Sequence, residues 1–293
     1  MIVAFGVLTF VFGFLHLSGD PVMMLLRPDA TQEEIDGLRH KMGFDQPIPI
    51  QYYRFLKGVI KGNFGSSFVH NRPALELVLE RLPATGQLTL AAMIIAFTFS
   101  IPLGVLAATK HGTIFDNVAI GVAALGQAIP YFWLGMMLIL LFSVSWRMLP
   151  ATGIGSILHI ILPAMTLGFY SMASLARLVR SSLLDILRKD YIRTARSKGL
   201  PEVVVICKHA LKNVFIPVIT LLGLQTGMLL GGAVVTETVF AWPGIGRLVI
   251  VAIFNRDFPV VQASVFVMAM IFVIINFLVD VTYTMMDPRV RIG

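Results

Sequence analysis

LPATGQLTLAAMIIAFTFSIPLGVLAAT, residues 82–109, runs for 28 positions without a charged side chain. A helix needs roughly 20 mainly apolar residues to cross the hydrocarbon core of a bilayer, so this stretch spans with turns to spare. It lacks the strict alternation of a barrel strand, and lipid forces backbone groups to pair within the segment, so it reads as a helix. Working outward, Asn117–Trp146 is charge-free over 30 residues, Met148–Ala176 over 29, Asn213–Thr236 over 24 and Phe258–Val279 over 22. Met1–Leu17 is apolar except for Thr9 and His16, and at 17 residues it is marginal. The expectation is an all-α integral membrane protein with six transmembrane helices, the first of doubtful length. Composition agrees: of 293 residues 57% are apolar and 13% charged, with mean hydropathy +0.83. That is about half the charge of a soluble domain, which excludes a water-soluble enzyme.

Orientation follows from Lys and Arg placement. With six spans, one side of the membrane receives the loop 177–212 and a net charge of +6, against +1 on the other, out of +7 in all. This places both termini and the 177–212 loop in the cytoplasm. The basic balance therefore reports topology. Nucleic-acid binding is a poor reading, because Tyr191 alone among aromatic residues interleaves with the bases. No basic lead or small-residue cleavage site marks a signal peptide at the N-terminus. The expectation is a real first helix whose cytoplasmic lead is missing, ending at Ser18-Gly19-Asp20-Pro21.

The chain divides into a first transmembrane helix at 1–17, a periplasmic helical segment at 18–85, a five-helix core at 86–285 and a cytoplasmic tail at 286–293. Within the periplasmic segment, Thr31-Gln32-Glu33-Glu34 is a capping-box pattern and Gly43 a terminator, so a helix is predicted over 32–42. A second is predicted over 51–60, and a third from Pro73 to about Arg81–Pro83.

Much chemistry is missing. No phosphate-cradling G-x-x-x-x-G-K-[ST] occurs. The six His residues show no metal-ligand spacing, and Cys207 has no second Cys, so no metal site and no catalytic residue is expected. Cys207 reads as a packed small side chain and His159 as an interfacial residue at a helix start. The five longer apolar intervals hold no acid or base to partner a coupled ion, which argues against a proton-coupled carrier. A passive pore stays open. So does a gate driven by another subunit.

The 177–212 loop is where such a drive would enter. It reads as helix, break, helix: Ser182–Leu187 extends the fourth span, Asp190–Lys198 forms a short amphipathic piece, Gly199-Leu200-Pro201 breaks it, and Glu202–Lys212 resumes. One reading is a basic loop on anionic lipid. The sharper reading is a docking helix gripped by a soluble partner.

At Asp190-Tyr191-Ile192-Arg193-Thr194-Ala195-Arg196-Ser197-Lys198-Gly199 the chain resembles the E-A-A-x-x-x-G signature of ABC importer permeases, in the dipeptide, oligopeptide, nickel and glutathione branch. Other matches are His16–Pro21, Gly43-Phe44-Asp45-Gln46-Pro47, Gly62-Asn63-Phe64-Gly65-Ser66-Ser67, Arg81–Thr85, Ile161–Ala164, Glu237–Arg247, Arg256–Gln262 and Asp287-Pro288-Arg289. Together they run the length of the chain. Departures exist: Arg193 and Thr194 stand where the signature has Glu and its first Ala. Ala195 and Gly199 are kept.

The resemblance implies a type I ABC importer permease fold in the bacterial inner membrane. It also implies a second, similar permease subunit as heterodimeric partner, two cytoplasmic ATPases and a periplasmic solute-binding protein. ATP would bind to the ATPase subunits and this chain would hold no cofactor. Asp190, Tyr191, Arg193, Thr194, Ala195, Arg196, Lys198 and Gly199 would form the ATPase-coupling helix. An ATPase-independent channel is the alternative from another class.

Several further positions carry readings of their own. Gly223, Gly227 and Gly231 recur every four residues on the fifth span, where small residues permit close helix approach at a subunit or bundle interface; plain helix flexibility is the alternative. Gln127 and Gln225 are uncharged polar groups at membrane depth that either line the path or bond a neighbouring helix. Glu237 and Trp242 sit at the outer end of the fifth span, as outer gate, binding-protein dock or local turn. Asn276 is expected to make a helix–helix hydrogen bond.

Overall fold

The computed structural model describes residues 2–17, 22, 26 and 30–286. The expected stop at Ser18–Pro21 and the tail with Asp287-Pro288-Arg289 lie outside the described residues. In chain order the helices are α1 (Ile2–Leu17), α2 (Gln32–Met42), α3 (Ile48–Ile60), α4 (Ala74–Thr109), α5 (Ile114–Ala128) and α6 (Tyr131–Ser145). They continue as α7 (Leu158–Leu187), α8 (Asp190–Ser197), α9 (Glu202–Val239), α10 (Ile245–Phe254) and α11 (Phe258–Met286). The last seven residues of α6 and residues Val205–Ala210 of α9 are π-helical.

Among the described residues four helices are long and apolar enough to cross a membrane: α4, α7, α9 and Phe258–Val279 of α11. The pair α5–α6 supplies a fifth if its two arms, bent by 110°, form one broken span. These five coincide with the five long charge-free intervals. α1, at 16 residues, is about 24 Å long, short of the roughly 30 Å of hydrocarbon. Large side chains such as Phe99, Phe132, Trp133 and Phe277 are exposed along these helices, as lipid-facing residues are.

The chain folds as two compact units, one joining residues 1–85 to 243–271, the other joining 86–242 to 272–293. In the first unit local chemistry sets the helix ends. Thr31 Oγ1 accepts from the Glu34 N–H while the Glu34 carboxylate accepts from the Thr31 N–H, closing the capping box. Gly43, at φ 74°, and Phe44 donate to His40 and Arg39 carbonyls, so a left-handed residue ends α2 as the sequence predicts. α3 begins three residues earlier than expected because Pro49 fits a first helical turn. Its Tyr52 and Phe55 rings lie 5.1 and 5.5 Å from Phe12 of α1, joining a core of Leu8, Phe64, Leu77, Val78, Ile245, Phe258 and Val261.

One expectation fails. The predicted third helix does not end near Pro83 but continues as α4 to Thr109. A proline costs an interior helix roughly 3 kcal/mol. Leu77, Val78, Leu88 and Ala92 are buried on either side of it, and burial of each large apolar side chain contributes about 1.5–3 kcal/mol. Packing wins over the breaker.

In the second unit α7 is the central helix, and it approaches its neighbours through small residues. A methyl on Gly168 would stand 2.6 Å from the Ala92 carbonyl oxygen of α4; one on Gly104 would stand 2.7 Å from the Ala176 carbonyl oxygen; one on Gly126 would stand 2.6 Å from Ala173 Cβ. Without a hydrophobic drive between helices in lipid, this close packing supplies the cohesion. Gly168→Leu is therefore expected to force α4 and α7 apart and lower thermal stability in detergent by several degrees, while Gly231→Ala, with nothing within 4 Å, leaves it unchanged.

Candidate coupling helix and polar residues at membrane depth

α7 ends at Leu187, and Arg188–Lys189 link it directly to α8. Lys189 is extended (ψ 150°), which turns the chain before the new helix starts. The sequence alternates polar and apolar at helical spacing, so α8 buries Ile192 and Ala195 against Leu183, Val205 and Val214. Gly199, at φ 74°, ends it, its N–H donating to the Arg196 carbonyl at 2.9 Å. Only glycine adopts this left-handed conformation cheaply.

The outward face of α8 falls into two sets. Arg196 is committed: its Nε and Nη2 donate to the Glu202 carboxylate at 3.1 and 2.6 Å, and that bonded carboxylate holds the guanidinium above its ordinary range. Tyr191 is half-committed, its hydroxyl accepting from Asn213 Nδ2 at 2.8 Å while the ring stays exposed. Among the described residues Asp190 and Arg193 are held only by each other at 3.6 Å, with side chains 97% and 77% exposed. Thr194 and Lys198 are exposed as well. The helix is thus anchored on one side and presents unspent charge on the other.

The remaining predicted positions separate. Gly223 and Gly227 pack against α11: a methyl on either would meet Val279 or Phe272 at 2.4 Å. A methyl on Gly231, which is exposed, would meet nothing within 4 Å among the described residues, whereas one on its neighbour Gly232 would stand 3.1 Å from Leu167 and 3.2 Å from Tyr131. The stripe therefore serves this chain's own bundle at two positions and faces outward at the third. Gln127 Nε2 donates to Ser174 Oγ of α7 at 2.6 Å, a bond between neighbouring helices. Gln225 is buried, and its Oε1 has no hydrogen-bond partner among the described residues.

Glu237 is fully buried at the end of α9, and its carbonyl accepts from the Trp242 N–H at 2.8 Å across a turn containing Ala241 at φ 50°. Trp242 is buried and borders an open groove of about 560 Å³ lined by Gln87, Leu90, Ile94, Ile154 and Ile157.

Two expectations for single side chains are corrected. Asn276 Nδ2 donates to the Phe272 carbonyl of its own helix at 2.7 Å, because that carbonyl lies one turn back. Cys207 is exposed, since the π turn directs Val205 and Ala210 inward in its place. His159 stands at the start of α7, where its Nδ1 accepts from the Ser156 N–H at 3.1 Å.

Two buried carboxylates escape sequence reading. Asp257, between α10 and α11, accepts from Ser67 Oγ and from the Phe68 N–H at 3.1 Å, joining residues some 190 positions apart. Asp116, in the first turn of α5, is 3% exposed at its side chain and pairs with Arg180 of α7. Charge counting sets these acids only against nearby bases. A visible signal for the α5 contact does exist: Ala119, Ala123 and Gly126, small residues at helical spacing, form its buried face.

The binding-protein-dependent transport system inner membrane component family matches residues 100–292, and its N-terminal companion matches residues 1–89. The dipeptide transport system permease protein of Escherichia coli K12 is 41% identical over 323 aligned positions, covering 98% of this chain and 94% of that protein. The glutathione transport system permease protein of Salmonella paratyphi A is 43% identical over 282, covering 96% and 92%. Among solved structures, the MetNI methionine ABC transporter shares the fold with a TM-score of 0.61 at 19% identity, covering 72% of this chain and 96% of that one. With both parts of the family matched along nearly the whole length, the chain belongs to the binding-protein-dependent transport system inner membrane components, as a permease subunit of an ABC importer and not an enzyme.

Proposed function

We propose that this subunit carries peptides, dipeptides and short oligopeptides, across the bacterial inner membrane, with both termini and the 177–212 loop in the cytoplasm. It pairs with a second, homologous permease subunit around a central path. Two ATPase subunits bind and hydrolyse ATP; this chain holds no cofactor. A periplasmic binding protein delivers solute to the outer face, beside the helical segment 18–85.

The observation that carries this reading is α8, a helix whose Ile192 and Ala195 are locked into the bundle while Asp190, Arg193, Thr194 and Lys198 face outward. That is the form a lever needs: rigid toward the spans, open toward the ATPase. The peptide assignment is supported by the two relatives, one a dipeptide and one a glutathione transport system permease protein. Gln225, Glu237 and Trp242 are proposed to border the path or its outer gate, and the exposed Gly231 to face the second permease subunit. Gln127, bonded to Ser174, is assigned to bundle packing.

The test is uptake by proteoliposomes holding the full complex with its binding protein. Dipeptides and tripeptides are expected to accumulate only with ATP, and more than tenfold above Ni²⁺. Uptake preferring glutathione or nickel would move the substrate within the branch. Equal uptake without the ATPases would show a self-sufficient channel and end the proposal.

A further inference from the structure

The proposed lever leaves open how movement of α8 reaches the spans, and a cluster outside α8 supplies the link. Arg180 lies seven residues before the end of α7, roughly 10 Å along the axis. Its Nε donates to Asp116 Oδ1 at 2.6 Å and its Nη2 to Oδ2 at 2.9 Å. The Gly112 N–H donates to the same Oδ2 at 3.0 Å, and His111 Nδ1 lies 2.8 Å from it. Among the described residues, every bond to the Asp116 carboxylate thus comes from α7 or from the turn between α4 and α5.

A buried ion pair is weak evidence for stability, since apolar residues of similar size often fold as well. What a bidentate guanidinium–carboxylate pair adds is fixed geometry. Between α5 and α7 that matters at the end next to α8, where the contact is otherwise small residues, Ala119, Ala123 and Gly126 against α7, with Gly126 over Ala173; the other polar tie, Gln127 to Ser174, lies at the far end of α5. Small residues hold two helices together without resisting a slide. The Asp116–Arg180 fork resists it.

At its far end α5 stops at Ile129 and Pro130, where the chain bends by 110° into α6. Proline restricts the residue before it to extended backbone, so the bend is built in.

We infer that Asp116 and Arg180 form a strut that locks the register of α5 to α7, so that displacement of α8 moves α5 as one body with α7 and is delivered to the Ile129–Pro130 bend. They are positioning residues: neither touches solute or nucleotide. The inference rests on the proposed docking of ATPases at α8.

The experiment uses the assembled complex in proteoliposomes and reads two rates on one preparation, binding-protein-stimulated ATP hydrolysis and peptide uptake. For Asp116→Asn, hydrolysis is expected within twofold of wild type and uptake at least tenfold lower, so the ratio of peptide moved to ATP hydrolysed collapses. Arg180→Lys, which keeps the charge but loses the fork, is expected to fall between. The double variant Asp116→Leu with Arg180→Leu removes both charges, keeps the site apolar and is expected to show the same low ratio. It also supplies the reading if Asp116→Asn fails to accumulate. A wild-type ratio in the double variant overturns the strut. So does a parallel loss of both rates in a fully assembled complex. Failure of the docking reading looks different: the wild-type chain itself would not co-purify with ATPases, or would move peptide without ATP.

Discussion

Arg193→Glu is expected to lower ATP-dependent uptake at least tenfold and to remove the ATPases from a co-purification on this subunit. The side chain is 77% exposed, and Asp190, with which it pairs at 3.6 Å, is 97% exposed. Exposed pairs of this kind contribute about 0–1 kcal/mol, so the substitution leaves the chain's own fold intact. At an interface the reversal acts differently. A charge buried against a partner and then inverted costs about 2–5 kcal/mol, more than tenfold in affinity. Unchanged membrane level with lost uptake is the expected pair of results. Normal uptake would remove α8 from the docking surface. Arg196→Glu is a poorer probe, because Arg196 is engaged by Glu202 and its loss disturbs the connection between α8 and α9.

Asp257→Ala is expected to have the largest effect on stability. The carboxylate is buried and accepts from Ser67 Oγ and the Phe68 N–H, while Ser67 Oγ accepts in turn from the His70 N–H at 2.9 Å. Removing it strands a buried hydroxyl and a backbone donor, each costing about 1–3 kcal/mol. The loop 63–73 should then open. Limited proteolysis in inverted and right-side-out vesicles checks this: cleavage within residues 63–73 should rise more than tenfold. Asp257→Asn keeps an acceptor for one donor and should lie between. Wild-type protease resistance of Asp257→Ala would show that apolar contacts of Phe64 and Phe258 hold the loop without the carboxylate.

The family match covers residues 1–89 and 100–292 as separate pieces. The folded units divide otherwise, since residues 243–271 pack with 1–85. Ser67 and Asp257 therefore belong to one body although the family boundary lies between them. The motifs Gly62–Ser67 and Arg256–Gln262, which carry the resemblance at sequence level, meet through this bond.

By itself the sequence determined the helical membrane class, the five long apolar intervals, the ends of α2 and the helix–break–helix course of the α8 region. Each depends on neighbours a few positions apart: charge-free length, a capping box, a glycine at positive φ, a proline after it. α8 was legible because its polar and apolar sides alternate within eight residues. The passage of α4 through Pro83, the 110° bend between α5 and α6, the split of the glycine stripe and the pairs Asp116–Arg180 and Ser67–Asp257 were decided only by tertiary structure. A buried charge chooses its partner by proximity in space, across 64 or 190 positions here, and no local rule of propensity or spacing encodes that distance. The breaker at Pro83 yields for the same reason: its cost is local, and the burial that exceeds it is not.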